Sequence, residues 1–188
     1  MIRSALYLMG EQGIEATSFS QVIEHSGAPR GSIYHHFPGG KAQLVQEATR
    51  YAGDAVATLL GKAVAEKDDP AAAIDALSDF WSTLLVNSEF SAGCPVLAAT
   101  LEGARTPGAR EVAREVFEKW ERLYAETLQR AGVPEERSWS LASMAISSVE
   151  GAVILARAEH SSAPLDRVIA ELRRMFADAL RDRSLEAS

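Results

Sequence analysis

TSFSQVIEHSGAPRGSIYHHFPGGKAQL, residues 17–44, is the stretch on which the reading of this chain turns. It divides into two short helices joined by a tight turn, with a third helix starting directly after them. Ser18 or Ser20 caps the first, because a hydroxyl there accepts from the free N–H groups of the opening turn. Val22 and Ile23 give that helix an apolar side, and Gly27 supplies the left-handed residue that stops it. Pro29 opens the second helix, where its missing N–H costs nothing. That helix, 30–36, is too polar for a core and too short to stand alone. It carries Arg30, Ser32, Tyr34, His35 and His36, with Ile33 and Phe37 left to anchor it. A short helix propped by two others, with hydrogen-bonding groups aimed outward, is the geometry of a helix-turn-helix.

Outward from this stretch everything reads as helix, with no alternating β-branched run long enough for a strand. The expected helices are 2–12, 19–26, 30–36, 41–66, 70–90, 94–104, 108–131, 137–160 and 165–183. Gly13, Gly27, Pro38-Gly39-Gly40, Pro70, Gly93 with Pro95, Pro107-Gly108, Gly132-Val133-Pro134 and Pro164 punctuate them. The expected fold class is therefore all-α. Helix 108–131 is amphipathic, with Val112, Val116, Phe117, Trp120, Leu123, Tyr124 and Leu128 on one face. Helix 137–160 is apolar nearly all round, so it must be buried on both sides. One side can face its own core and the other a second copy of the chain. Gly151 would let a neighbouring helix come close, and Leu155, Leu172 and Phe176 complete the expected dimer interface.

The bulk composition narrows the choice of function. Hydrophobic content of 47% with 24% charged residues is ordinary for a globular protein of 188 residues. No stretch reads as a membrane span, because serines and Glu150 interrupt even 141–158. The start of the chain runs into helical pattern without a signal-peptide core. A single cysteine fits a reducing compartment, so a cytoplasmic location is expected. The net charge of −7 is unevenly spread. Residues 1–50 balance Arg3, Arg30, Lys41 and Arg50 against Glu11, Glu15, Glu24 and Glu47, so the whole excess lies beyond them. A neutral head on an acidic body binds random DNA weakly, since phosphate neutralisation drives non-specific affinity. Such a protein has to depend on base contacts and on dimerisation.

The first quarter of the chain resembles the DNA-binding domain of the tetracycline-repressor (TetR) family. Thr17, Gly27, Gly31, Ser32, Tyr34, His36, Phe37 and Lys41 carry the likeness, and Ala5, Leu8 and Gly13 fall where that family's first helix and its end would lie. Pro29 stands where many members have a capping Ser or Thr, and Pro38-Gly39-Gly40 makes the turn before Lys41 one residue longer. Gly93-Cys94-Pro95 and Glu150-Gly151 are similar to the subgroup that includes the LmrA and YxaF regulators. The resemblance implies a helix-turn-helix domain over 1–45, and a ligand-binding and dimerisation domain over 46–188. It implies double-stranded operator DNA, a small-molecule effector and a second copy of the chain as partners.

Arg30 is the candidate for base contact, since its forked guanidinium matches guanine O6 and N7. Tyr34, His35, His36 and Lys41 suit phosphates, which set register without carrying sequence information. Thr17 and Ser18 sit at a helix N-terminus, where free N–H groups favour a phosphate or are simply capped. Gly31 and Ser32 join this set through the family signature. Trp81, Leu85, Leu97, Leu101, Trp120, Tyr124, Met144 and Ser148 are candidates to line an effector pocket, being mostly large apolar groups with sparse polar handles. Each could equally fill the core. Cys94 opens a helix, where the dipole favours a thiolate, and it serves equally as a small core residue. The adjacent His35 and His36 cannot converge on a metal as i, i+4 ligands do, and no cofactor or catalytic group is expected. A ligand-responsive repressor is the leading reading. A DNA-binding architectural protein without a ligand, or a helical enzyme, are the alternatives.

Overall fold

The computed structural model describes residues 1–67 and 69–186, with side chains as far as Arg181. Among the described residues nine α-helices follow one another: α1 Ile2–Ala16, α2 Phe19–Ser26, α3 Ser32–His36, α4 Gly40–Lys67, α5 Ala71–Asn87, α6 Pro95–Glu102, α7 Ala109–Arg130, α8 Glu135–Glu159 and α9 Ala163–Glu186. A 3-10 turn at Gly103–Arg105 follows α6, and no strand occurs among the described residues. The fold is all-α. Packing divides it into two units. Unit 1 comprises Met1–Ala55 with Ala92–Phe117, and unit 2 comprises Val56–Ser91 with the chain from Glu118 onward. This differs from a simple division at residue 45. The boundaries fall inside α4 and α7, so each starts in unit 1 and ends in unit 2.

In unit 1, Ala5, Met9, Ile14, Val22, Ile33, Phe37, Leu44 and Val45 are buried, which fixes α1 to α4 around one core. α1 runs beyond its expected end, with Gly13 at φ 86 breaking its regularity. α3 starts two residues later than Pro29 leads one to expect. Ser32 turns both its N–H (2.9 Å) and its hydroxyl (2.7 Å) onto the Pro29 carbonyl, so Pro29-Arg30-Gly31 forms a turn instead. α6 packs along α1. The backbones meet so closely that a Cβ on Gly10 would lie 2.1 Å from the Gly93 carbonyl oxygen. That approach places residues 92–117 in unit 1 although they lie far along the chain.

Unit 2 is built by α5, α8 and α9 packing against one another, together with the later parts of α4 and α7. Ile74, Leu85, Leu128, Leu141, Val149, Leu165 and Phe176 are among its buried side chains. The Tyr124 and Phe176 rings meet edge to face at 6.2 Å. Burial pushes the Tyr124 phenol well above its ordinary value, and its hydroxyl donates a long 3.5 Å bond to the Ala73 carbonyl. By length and a mean hydropathy of 1.5, α8 has the make-up of a membrane span despite its serines. Burial accounts for one face of that composition: Leu141, Ala145, Val149 and Val153 are buried, and the helix packs along α9, while Met144, Ile154 and Leu155 stay exposed.

Candidate nucleic-acid interface

The reading head is assembled by short-range chemistry. Ser18 caps α2, accepting from the Gln21 N–H at 3.3 Å while Gln21 Oε1 accepts from the Ser18 N–H at 2.8 Å. This reciprocal pair satisfies two of the free donors at the helix start. Gly27 ends α2 in the left-handed conformation at φ 66. Buried Ile33 and Phe37 then root α3, leaving Arg30, Gly31, Tyr34, His35 and His36 in solvent. Tyr34 is 68% exposed, yet its ring is steadied edge-on by Phe19 at 5.6 Å. Gln43 ties the far end of α3 to α4: its Oε1 accepts from the Gly39 N–H at 2.8 Å, and its Nε2 donates to the His36 carbonyl at 3.4 Å.

Structure thus gathers Arg30, Gly31, Tyr34, His35 and His36 on and around one exposed short helix. The remaining candidates are engaged differently. Thr17 is buried, and its hydroxyl donates to the Gly13 carbonyl at 2.7 Å, so it closes the end of α1. Ser18 is exposed but occupied by its cap, and the Ser32 hydroxyl is spent on Pro29. Lys41 Nζ donates to the Glu15 carbonyl at 3.2 Å. Phe19, Gln21 and Gln43 were not among the expected residues. The Ser-x-x-Gln spacing from Ser18 to Gln21 was the available signal for one of them.

The other predicted sites distribute as follows. Leu97 and Leu101 belong to unit 1, with Leu101 67% exposed. Trp81, Leu85, Trp120 and Tyr124 are buried in unit 2, while Met144 is exposed and Ser148 half-buried on α8. The eight do not all fall in one unit. A cleft of about 500 Å³ opens elsewhere in unit 2, walled by Val64, Ala65, Leu123 and Leu180 and edged by Asp69 and Arg130. Of the dimer residues, Gly151 has nothing within 4 Å of where a Cβ would stand, and Leu155 is exposed. Leu172 and Phe176 turn inward instead and are buried within their own chain. Helix periodicity marks them as apolar, but both positions are used inside the chain, Phe176 against Tyr124 of α7. Cys94 is buried as the N-cap of α6, its Sγ 3.5 Å from the Leu97 N–H.

A buried three-helix support with an exposed polar helix defines a DNA-binding helix-turn-helix protein. Residues 1–48 match the family described as bacterial regulatory proteins, tetR family. Residues 70–186 match the family described as transcriptional regulator LmrA/YxaF-like, C-terminal domain. An uncharacterised HTH-type transcriptional regulator of Mycobacterium tuberculosis is 40% identical over 98% of this chain and 96% of its own. The uncharacterised regulator YxaF of Bacillus subtilis is 34% identical over 88% of this chain and 87% of its own. Among solved structures, a TetR transcriptional regulator from Legionella pneumophila superposes with a TM-score of 0.79 at 25% identity, covering 92% of this chain and 93% of that one. The chain belongs to the TetR family of transcriptional regulators, in its LmrA/YxaF-like branch. It is a regulator and not an enzyme.

Proposed function

We propose that the protein is a cytoplasmic repressor that binds a palindromic operator as a homodimer and releases it when a small apolar or aromatic effector occupies unit 2. The row Arg30, Tyr34, His35 and His36, solvent-exposed on a rooted helix and the turn that enters it, carries the DNA half of this reading. Two such helices in a two-fold dimer would reach half-sites about one DNA turn apart, or a multiple of it. A mobility shift on the DNA upstream of the protein's own coding region tests it, with a half-site duplex as control. Equal binding to any duplex of the same length would instead favour the architectural alternative.

The outward face of α8 supports the dimer. Met144, Ile154 and Leu155 are each about half exposed, with Ser147 and Gly151 between them. Exposed apolar strips with small residues at their centre are the usual material of a helix–helix seam. Gly151→Leu is expected to shift the sedimentation coefficient toward the monomer while leaving thermal unfolding of the dilute protein in place. A Cβ there meets nothing of its own chain within 4 Å, so lost association reports on the seam itself. An unmodified chain that sediments as a monomer at micromolar concentration would end the dimer proposal.

For the effector, Trp81, Trp120 and Tyr124 form the aromatic candidates, and the cleft beside Leu123 opens one residue from Tyr124 on α7. Arg130 offers that cleft an oriented cation: its Nε donates to the Glu126 carbonyl at 3.3 Å and an Nη to the Thr127 hydroxyl at 3.1 Å. Trp81, Trp120 and Trp139 all lie in unit 2, so tryptophan emission reports on that unit alone. An effector should quench or shift it, and saturating operator should weaken effector binding by roughly 5–150-fold, because coupling is reciprocal. Compounds whose affinity ignores the operator would leave the reading as a ligand-free architectural protein standing.

A further inference from the structure

The end of α1 is gripped by a residue from far along the chain. Gly13 adopts φ 86 and ψ 171, a left-handed conformation that interrupts α1 before its last turn. The Glu15 N–H beyond this break goes to Glu102 Oε2 at 3.0 Å. Glu102 ends α6, and its carboxylate lies so close over Gly13 that a Cβ there would stand 2.2 Å from Oε1 and 2.7 Å from Oε2. The carbonyl of the same Glu15 accepts from Lys41 Nζ at 3.2 Å, at the start of α4. Both polar backbone groups of one residue are thus held by distant side chains, one anionic and one cationic. Thr17 closes the same turn onto the Gly13 carbonyl, and the Ser18 cap of α2 follows directly.

We infer that Glu102 is a positioning residue for DNA binding: with Lys41 it clamps the Gly13–Thr17 turn and so sets where α2 and the start of α4 stand beneath the reading helix. The inference rests on the DNA-binding reading and extends it to a residue outside the helix-turn-helix. Two physical points carry it. A carboxylate accepting a backbone N–H is a charge-assisted bond, roughly twice as strong as a neutral one. The turn it holds also has a backbone conformation, φ 86 at Gly13, that would strain any residue with a side chain. Removing the acceptor frees the turn, and operator binding must then supply the order that the clamp supplied beforehand.

The test uses full-length protein and an operator selected by the wild type from a random duplex pool. Glu102→Ala is expected to weaken operator binding about tenfold, the size of one lost hydrogen bond to a charged group. Glu102→Gln keeps an acceptor at the same reach and should stay within about threefold of wild type by the same reckoning. Glu102→Asp, shorter by one methylene and milder for folding, should fall with the alanine. Amide hydrogen exchange at Glu15 should accelerate in the alanine variant without DNA present. Glu102→Ala and Lys41→Ala should combine less than additively on operator affinity, because the second loss acts on a turn already released. An unchanged Glu15 exchange rate, full additivity with Lys41→Ala, or equal losses in the glutamine and alanine variants would each overturn the clamp. A wild type that selects no operator would overturn the proposed operator binding, and the positioning role with it, whatever the exchange rates show.

Discussion

Phe176→Ala is expected to cost about 3–5 kcal/mol of folding stability, the range for emptying a large aromatic site in a packed core. The ring is 0% exposed and meets Tyr124 edge to face. Neither partner has solvent to fall back on, so truncation leaves a cavity where that contact was. Against a total stability of roughly 5–15 kcal/mol, the loss is severe. Urea titrations at several protein concentrations measure it. A core defect lowers the midpoint by the same amount at every concentration, whereas a lost subunit contact has an effect that scales with concentration. Leu155→Ala is the matched control: the side chain is exposed on α8, and its removal should spare the protomer while weakening association. A Phe176→Ala variant that keeps its stability but dissociates would return Phe176 to the subunit interface.

That contrast marks where the sequence stopped being informative. The helices and their ends were readable because local chemistry sets them. Gly27 and Gly132 stop α2 and α7 from left-handed positions, and Pro95 opens α6. The exposed row on α3 was readable for the same reason, as its polar residues outnumber its two anchors. What was not readable depends on partners distant in the chain. Periodicity shows that Leu172 and Phe176 are apolar, but not whether the helix beneath them belongs to the same copy. The membership of 92–117 in unit 1 comes from Gly10 against Gly93 and from Glu102 against Glu15, pairs more than eighty residues apart. The start of α3 failed on a smaller scale. Pro29 suits a first helical position, but the Ser32 hydroxyl and N–H compete for the same carbonyl and make a turn first.

Arg30→Ala is expected to lower operator affinity by roughly 5–150-fold and to relax base preference at one position in each half-site, as losing a bidentate guanine contact does. Arg30 stands in the turn that enters α3, exposed to solvent, with no carboxylate or carbonyl partner among the described residues to hold it back from a base edge. Lys41 provides the contrast. Its ammonium is already placed on the Glu15 carbonyl at the start of α4. If Lys41 also grips a phosphate, as its residue type suits, Lys41→Ala should weaken all duplexes alike and reduce the slope of log affinity against log salt by about one. The near-neutral charge of residues 1–50 sharpens the difference between the two variants. With few phosphates neutralised, non-specific binding is weak from the outset, and a larger share of the operator's advantage has to come from base contacts. Binding measured at two salt concentrations, on the operator and on a scrambled duplex, separates the outcomes. Should Arg30→Ala lose operator and scrambled binding equally, with a shallower salt slope, then Arg30 grips phosphate, and base recognition passes to Tyr34 and the two histidines beside it.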